Sequence, residues 1–243
     1  MPPAAFALAR AAIDMNPLSD EKIRASWHSN AKPWTTAIRE QQIASRRLVT
    51  DHAIIEAVLS VAPASVLDIG CGEGWLTRAL ARKRIATTGL DAVAELIEQA
   101  GQADLIEAGS DYHVMSYEQI AAGAWQQTAD AVVCNFALLG KESVEGLLAA
   151  MHWLLQPRGH LLVQTLHPRA ACGDLPYEDG WREGSWAGFS PDFHDPAPWY
   201  FRTMESWNQL FLQHGMRLIE RREPLHPKTG QPTSVIFIAV RNA

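Results

Sequence analysis

Val66-Leu67-Asp68-Ile69-Gly70-Cys71-Gly72-Glu73-Gly74-Trp75 is the stretch whose reading decides the fold. The run from Ser65 to Ile69 is apolar on both of its alternating faces except at Asp68, which marks a strand buried on both sides. Glycines at 70, 72 and 74 allow positive φ and let a ligand lie against bare backbone. From Gly74 to Lys83 the apolar spacing becomes helical, and the first turn of such a helix has N–H groups with no partner inside the helix. A strand, a glycine turn and a helix in this order form the opening unit of an open α/β sheet, with the ligand crevice at the carboxyl end of the strand.

Working outward, the same alternation continues downstream. Further strands are expected at Ala86–Leu90, Tyr112–Met115, Ala129–Asn135 and His160–Thr165, with helices between them at Ala92–Ala100, Tyr117–Ala122 and Val144–Leu155. The turn Gln156-Pro157-Arg158-Gly159 closes the last of these helices. Repeated strand–helix units with unbroken apolar strands predict a parallel sheet covered on both faces. The pattern stops after His167 for over thirty residues rich in aromatics, Gly and Pro, and returns as a helix (Thr203–His214), a strand (Met216–Glu223) and a last strand (Val235–Val240). The short connection between those two strands predicts an antiparallel pair at the sheet edge. Upstream, the chain to about Thr50 looks helical, interrupted by Pro33, and a helix follows from Asp51 to Leu59.

Asp91 follows Gly74 by seventeen residues and stands at the end of the second strand. There a carboxylate can accept both hydroxyls of a ribose. Two nucleoside ligand classes use this architecture. A dinucleotide needs G-x-G-x-x-G, with its pyrophosphate at the helix N-terminus. Here the third glycine is replaced by Trp75, and Asp68 would face a pyrophosphate with like charge. A ligand with a cationic amino acid end, and no phosphate, suits Asp68 better. S-adenosylmethionine is such a ligand. Other readings of the same residues are a ligand-free tight turn and, for Asp91 alone, a helix cap before Ala92.

Composition narrows the class. The chain has 243 residues, 47% of them hydrophobic, enough for one large two-sided core. Its net charge is −6, and the basic pairs Arg46-Arg47 and Arg221-Arg222 read as solvated faces, so nucleic acid is not expected as a partner. Cys71, Cys134 and Cys172 form neither a CxxC site nor a disulfide framework, which predicts a reducing cytoplasm. The opening MPPAAFALARAAIDMNP lacks the layout of a signal peptide, and no stretch approaches a membrane span. Histidines and acids show no HxxE or HxH spacing, and no metal is expected.

Asp-x-Gly-x-Gly-x-Gly followed by an acid at the end of the next strand resembles the class I S-adenosylmethionine-dependent methyltransferases. Ala129-Asp130-Ala131-Val132-Val133-Cys134-Asn135-Phe136-Ala137-Leu138 resembles that family's fourth-strand motif. Leu154-Leu155-Gln156-Pro157-Arg158-Gly159-His160-Leu161 resembles the approach to its fifth strand. Trp199-Tyr200-Phe201-Arg202-Thr203 and Gln213-His214-Gly215-Met216 are similar to the stretch before the sixth strand in small-molecule members akin to quinone-biosynthesis methyltransferases. The resemblance covers roughly residues 46 to 243. It implies a doubly wound seven-stranded sheet, mostly parallel with the last strand antiparallel. It also implies a methyltransferase domain over 46–243, a helical cap over 1–45 and a lid insertion at about 168–202. Carried over residue by residue, Asp68, Gly70, Cys71, Gly72 and Gly74 surround the methionine part, Asp91 the ribose, Ala92 an adenine face, and Asn135 and Phe136 the sulfonium and carboxypropyl arm. The family often has an acid near the adenine amino group after the third strand. This chain has Ser116-Tyr117 there, so Ser116 or backbone groups fill the role, or the alignment slips by a few residues.

Methyl transfer from a sulfonium needs alignment and desolvation more than a specialised base. The expected acceptor is a small O, N or C nucleophile, and the expected product is S-adenosylhomocysteine. Alternatives are methylation of a protein or tRNA and a non-catalytic adenosyl-ligand binder. Residues 175–201 hold eight of the chain's twenty aromatics, and a long irregular connection of that kind reads as a binding lid, or else as a packed plug or a homodimer surface. Trp34, Trp181, Trp186 and Tyr200 are the expected acceptor contacts. His167, immediately after the fifth strand, is both an expected contact and the first candidate base, with His113 and His194 behind it.

Overall fold

The computed structural model describes residues 16–104 and 109–242, so the first fifteen residues of the expected cap lie outside the described residues. Two helices, α1 (Asp20–Ser29) and α2 (Ala31–Arg39), lead the chain. The break between them falls at Asn30, not at Pro33. Pro33 is the third residue of α2, where an N–H would have no partner inside the helix, so the ring is tolerated there. Asn30 instead ends α1, and its side-chain amide donates to the Ser26 carbonyl at 2.8 Å. A π-helical turn, Arg46–Thr50, then runs directly into α3 (Asp51–Ser60).

The alternating region follows as β1 (Ser65–Ile69), α4 (Trp75–Ala81), β2 (Ala86–Asp91), α5 (Ala94–Asp104), β3 (Asp111–Val114), α6 (Tyr117–Ala121) and β4 (Ala129–Asn135). After it come α7 (Glu142–Ala149), α8 (Met151–Leu154), β5 (Leu155–Thr165), α9 (Pro168–Ala171), the short strands β6 (Gly180–Arg182) and β7 (Trp199–Phe201), α10 (Met204–Gln213), β8 (Met216–Arg222) and β9 (Val235–Arg241). Seven strands form one sheet in the order β3-β2-β1-β4-β5-β9-β8. The neighbours from β3 to β5 are parallel, and β9 is antiparallel to both β5 and β8. The expected doubly wound sheet with an antiparallel last strand is the sheet observed. Five consecutive buried residues, Val235 to Ala239, suit β9 to its interior place, whereas β8 exposes Arg217, Glu220 and Arg221 and takes the edge. Pairing of β5 with β4 already begins at Leu155 opposite Ala129, and the predicted turn before His160 is accommodated as a register shift within the strand, with Arg158 at φ 64°.

The period of two along each strand divides the core. Val66, Ala131, Val133, Leu162, Ile236 and Ile238 face Ile54, Ala57 and Val58 of α3 and Leu76 and Leu80 of α4. Leu67, Ile69, Val132, Cys134, Leu161, Val163 and Phe237 face the other way, against α6, α7, α8 and α10. Helices on both faces leave the carboxyl ends of β1, β2 and β4 as the open crevice. Among the described residues, no helix is long and apolar enough to cross a membrane.

Candidate functional site

The crevice is a cleft between the strand ends and α1–α2. Its floor is the glycine turn. Gly70 and Gly72 have φ of 74° and 59°, and the amides of Gly70 and Cys71 donate to the Leu90 carbonyl at 2.7 and 3.1 Å. Gly70 is held so closely that an added Cβ would lie 2.4 Å from Cβ of Ala137 and 2.9 Å from the Tyr117 hydroxyl. Gly72 faces the open cleft, where the nearest group to an added Cβ is Nε1 of Trp34 at 3.4 Å. Gly74 also lies in the left-handed region, at φ 80°, but packs against Tyr112 and Ala100 and lines no part of the cleft.

Asp91 accepts one backbone N–H on each carboxylate oxygen, from Gly72 and from Val93, both at 2.9 Å. It therefore clamps the glycine turn to the end of β2 and keeps further lone pairs on the cleft side. Burial raises its pKa, partly offset by these amides. Asp68 lies beneath the turn, 1% exposed, and accepts from the Thr77 hydroxyl of α4 at 2.7 Å. Burial, reinforced by the charge of Asp91, raises its pKa to about 7. Cys71 is buried, and burial raises its thiol pKa well above the usual value.

Ala92, Tyr117, Asn135, Phe136 and Trp34 line the cleft as expected residues. Tyr117 donates its hydroxyl to the Ala137 carbonyl at 3.1 Å. Ser116 instead caps α6 in a reciprocal box with Gln119. The acid on this wall is Glu118, two residues further on, which is ion-paired across the cleft mouth with Arg24 of α1. Burial acts to raise the Glu118 pKa, but its own amide, Ser116 and Arg24 outweigh that and lower it.

The aromatic segment is not gathered at the cleft. Trp181 and Tyr200 face each other across the β6–β7 ribbon at 5.6 Å, and the ribbon is tied to the cleft wall where the Tyr200 amide donates to the Leu139 carbonyl at 2.7 Å. Trp186 stands edge-on to Trp27 at 5.7 Å, and Trp27 in turn to Trp34 at 5.0 Å, so it backs the cleft without lining it. Asn30 holds this loop, donating to the His194 carbonyl at 2.7 Å and accepting from the His194 amide at 3.0 Å. Asp195 pairs with Lys22, and Asp179 accepts from the amide of Thr203, the residue that caps α10. His167 is 6% exposed, lies outside the cleft, and has Nε2 3.6 Å from the Glu223 carboxylate. His113 packs against Trp125 at 5.1 Å.

One residue that sequence reading missed is Arg46. It is 9% exposed, so it is no solvated face. The π-turn carries its guanidinium over the Trp75 ring at 4.6 Å and near Trp34 at 5.9 Å, and its Nε donates to Asp51 at 2.8 Å. Its buried Nη2 has no hydrogen-bond partner, an unfilled donor on a guanidinium stacked over the residue that follows the glycine turn. Ile23, Trp27, Val93 and Leu96 complete the apolar walls. The helical spacing of Ile23, Val93 and Leu96 carries only a packing signal, so nothing in the sequence separates these three from core, whereas Trp27 belongs to the segment before the domain proper that the sequence offers as a cover for the pocket.

Comparison with known proteins follows the same outline. A ubiquinone biosynthesis O-methyltransferase of Xanthomonas oryzae is 36% identical over 121 residues, 49% of each chain, and its counterpart in Xylella fastidiosa is 37% identical over 118 residues, 47% of this chain and 46% of that one. The chain thus aligns with about half the length of these relatives. Among solved structures, 1,6-didemethyltoxoflavin-N1-methyltransferase of Burkholderia thailandensis superposes with a TM-score of 0.66 at 15% identity, covering 92% of this chain and 88% of that one. A methyltransferase of Clostridium acetobutylicum superposes with a TM-score of 0.63 at 12% identity, covering 89% and 99%. Since the family model for a methyltransferase domain matches residues 41–221, well over half of the sequence, the chain belongs to the methyltransferase domain family.

Proposed function

We propose that the chain transfers a methyl group from S-adenosylmethionine to an O, N or C nucleophile on a small molecule, leaving S-adenosylhomocysteine. The observation that carries this reading is the pairing of a bare glycine turn with Asp91 on one side and, on the other, Arg46, whose Nη2 alone has no hydrogen-bond partner. Asp91 suits a ribose, and Arg46, with Gly70 and Gly72, suits the amino acid end of the ligand. The relatives add support: they are named as O-methyltransferases, and the Burkholderia structure holds S-adenosylhomocysteine and 1,6-didemethyltoxoflavin.

S-adenosylmethionine supplies an electrophilic methyl group on a sulfonium. The chain's own residues then bind and align. Ala92, Val93 and Leu96 offer an apolar wall for a base, and Ile23, Trp27 and Trp34 exclude water above it. The carboxylates of Asp20 and Asp91 already accept backbone amides, and Glu118 is paired with Arg24. His167 lies outside the cleft, so this reading assigns the rate to alignment and desolvation, which effective molarity makes worth several kcal/mol. The segment around 168–202, tied to α1 and α2 through Asn30 and Lys22, acts with them as the lid in this reading.

Calorimetric titration with S-adenosylmethionine, S-adenosylhomocysteine and NAD tests the cofactor reading. Micromolar binding of the two adenosyl ligands with none for NAD is expected. Binding of NAD, or of none of the three, overturns the proposal. We also infer cytoplasmic residence from the three free cysteines, which recovery of the native protein from an oxidising compartment would contradict.

A further inference from the structure

At the carboxyl ends of β4 and β5, two amide side chains stand side by side on the sheet face that α3 and α4 cover. Asn135 and Gln164 are register partners, one rung above Val133 and Leu162 of that face's core. Gln164 is 1% exposed. Its Nε2 donates to the Thr50 carbonyl at 3.1 Å and to Oδ1 of Asn135 at 2.7 Å, and its Oε1 accepts from the Ser234 hydroxyl at 3.3 Å. A backbone carbonyl only accepts, so the Thr50 contact fixes which end of the Gln164 amide is nitrogen. Both hydrogens of Nε2 are then used, and Asn135 must offer its oxygen to Gln164. Its Nδ2 is left without a partner among the described residues, on a side chain that lines the cleft.

We infer that Gln164 is a positioning residue that fixes the polarity of Asn135, so that Asn135 presents N–H donors, and not its carbonyl oxygen, to a carboxylate in the cleft. The inference rests on the adenosyl-ligand reading above and says which end of that ligand Asn135 meets. A carboxylate is the fitting partner because the π-turn that supplies the Thr50 carbonyl also carries Arg46, whose free Nη2 is a cationic donor on a guanidinium stacked over Trp75, the residue that follows the glycine turn. The amino acid end supplies that ligand's only carboxylate.

The test compares S-adenosylhomocysteine with 5′-methylthioadenosine, which shares the nucleoside and sulfur but has no amino acid end. Gln164→Glu repels the Thr50 carbonyl when ionised and accepts from Asn135, turning its oxygen into the cleft. Asn135→Asp keeps the bond from Gln164 and removes the donor directly, so it serves even if the buried glutamate prevents folding. Gln164→Leu frees the Asn135 amide without inverting it. By calorimetry, Gln164→Glu and Asn135→Asp are expected to weaken S-adenosylhomocysteine about tenfold or more and 5′-methylthioadenosine within about twofold, with Gln164→Leu intermediate. Equal losses on both ligands, or a leucine variant worse than the glutamate one, reduce Gln164 to packing and overturn the inference while leaving the cofactor reading intact. Unchanged binding of S-adenosylhomocysteine to Asn135→Asp overturns it as well. A wild-type protein that binds neither ligand takes both readings down.

Discussion

At the scale of single residues, charge placement separates function from packing. Asp91→Ala is expected to weaken S-adenosylmethionine by about 2–3 kcal/mol, the scale of charge-assisted hydrogen bonds lost together, and direct titration checks it. Arg46→Met is expected to cost about 1.5–3 kcal/mol of the same affinity, while its exposed neighbour Arg47, replaced likewise, leaves it unchanged. Equal effects of the two arginine substitutions would return Arg46 to the solvated role its sequence suggested. Asp68 adds a pH dependence. Its folded pKa of about 7 lies above the ordinary 3.8, so folding favours the protonated form. That contribution to stability is present below about pH 4 and is lost as pH rises towards 7. The melting temperature of the ligand-free protein is expected to fall relative to Asp68→Asn across that window, whereas a constant difference refutes the assignment. A cationic ligand end favours the ionised form, so affinity for S-adenosylmethionine is expected to rise through the same range.

At the scale of elements, the glycine turn shows why two similar residues differ. Gly70→Ala combines a left-handed conformation, worth about 1–2 kcal/mol, with a Cβ 2.4 Å from Ala137, an overpacking worth about 1–3 kcal/mol more. Gly72→Ala has room at 3.4 Å from Trp34, so urea denaturation should show only the conformational cost of about 1–2 kcal/mol, with the larger loss in ligand binding. These elements were legible in sequence because their causes are local. The strand–turn–helix of residues 65–81, the acid ending β2 and the two closing strands all declare themselves by period and glycine spacing. Arg46, Glu118 and Gln164 did not, since each gains its meaning from partners far along the chain: Trp75 and Trp34, Arg24, Thr50 and Ser234. His167 lies apart from the cleft for the converse reason. Its place after β5 matched a catalytic position, yet its side chain turns towards Glu223 on the segment after β8, which no spacing within β5 reveals. The aromatic segment divided likewise: Trp186 backs the cleft through Trp27, and Tyr200 reaches its wall only through a backbone amide on Leu139.

At the scale of the molecule, α1 and α2 are joined to the cleft and the loop by contacts of two kinds. Asn30 and Ser26 bind the loop backbone at His194 and Asp195, whereas Lys22–Asp195 and Arg24–Glu118 are part-exposed ion pairs. Exposed pairs are screened by salt and buried hydrogen bonds are not. Asn30→Ala is therefore expected to speed proteolysis or amide exchange around residues 190–196 at every ionic strength, and an unaltered pattern would dissociate the loop from the helices. Asp20 adds a stiffer joint, its two carboxylate oxygens accepting the amides of Lys141 and Ser143 at the start of α7 at 2.9 and 2.8 Å. The edge-to-face indoles that run from Trp34 through Trp27 to Trp186 have an optical consequence. Rings 5.0 and 5.7 Å apart lie close enough for their electronic transitions to couple, so the near-ultraviolet circular dichroism of the chain carries a signature of how its roof is seated. A ligand entering beneath Trp34, or a loop lifting away at Trp186, would write itself into that spectrum without any attached label.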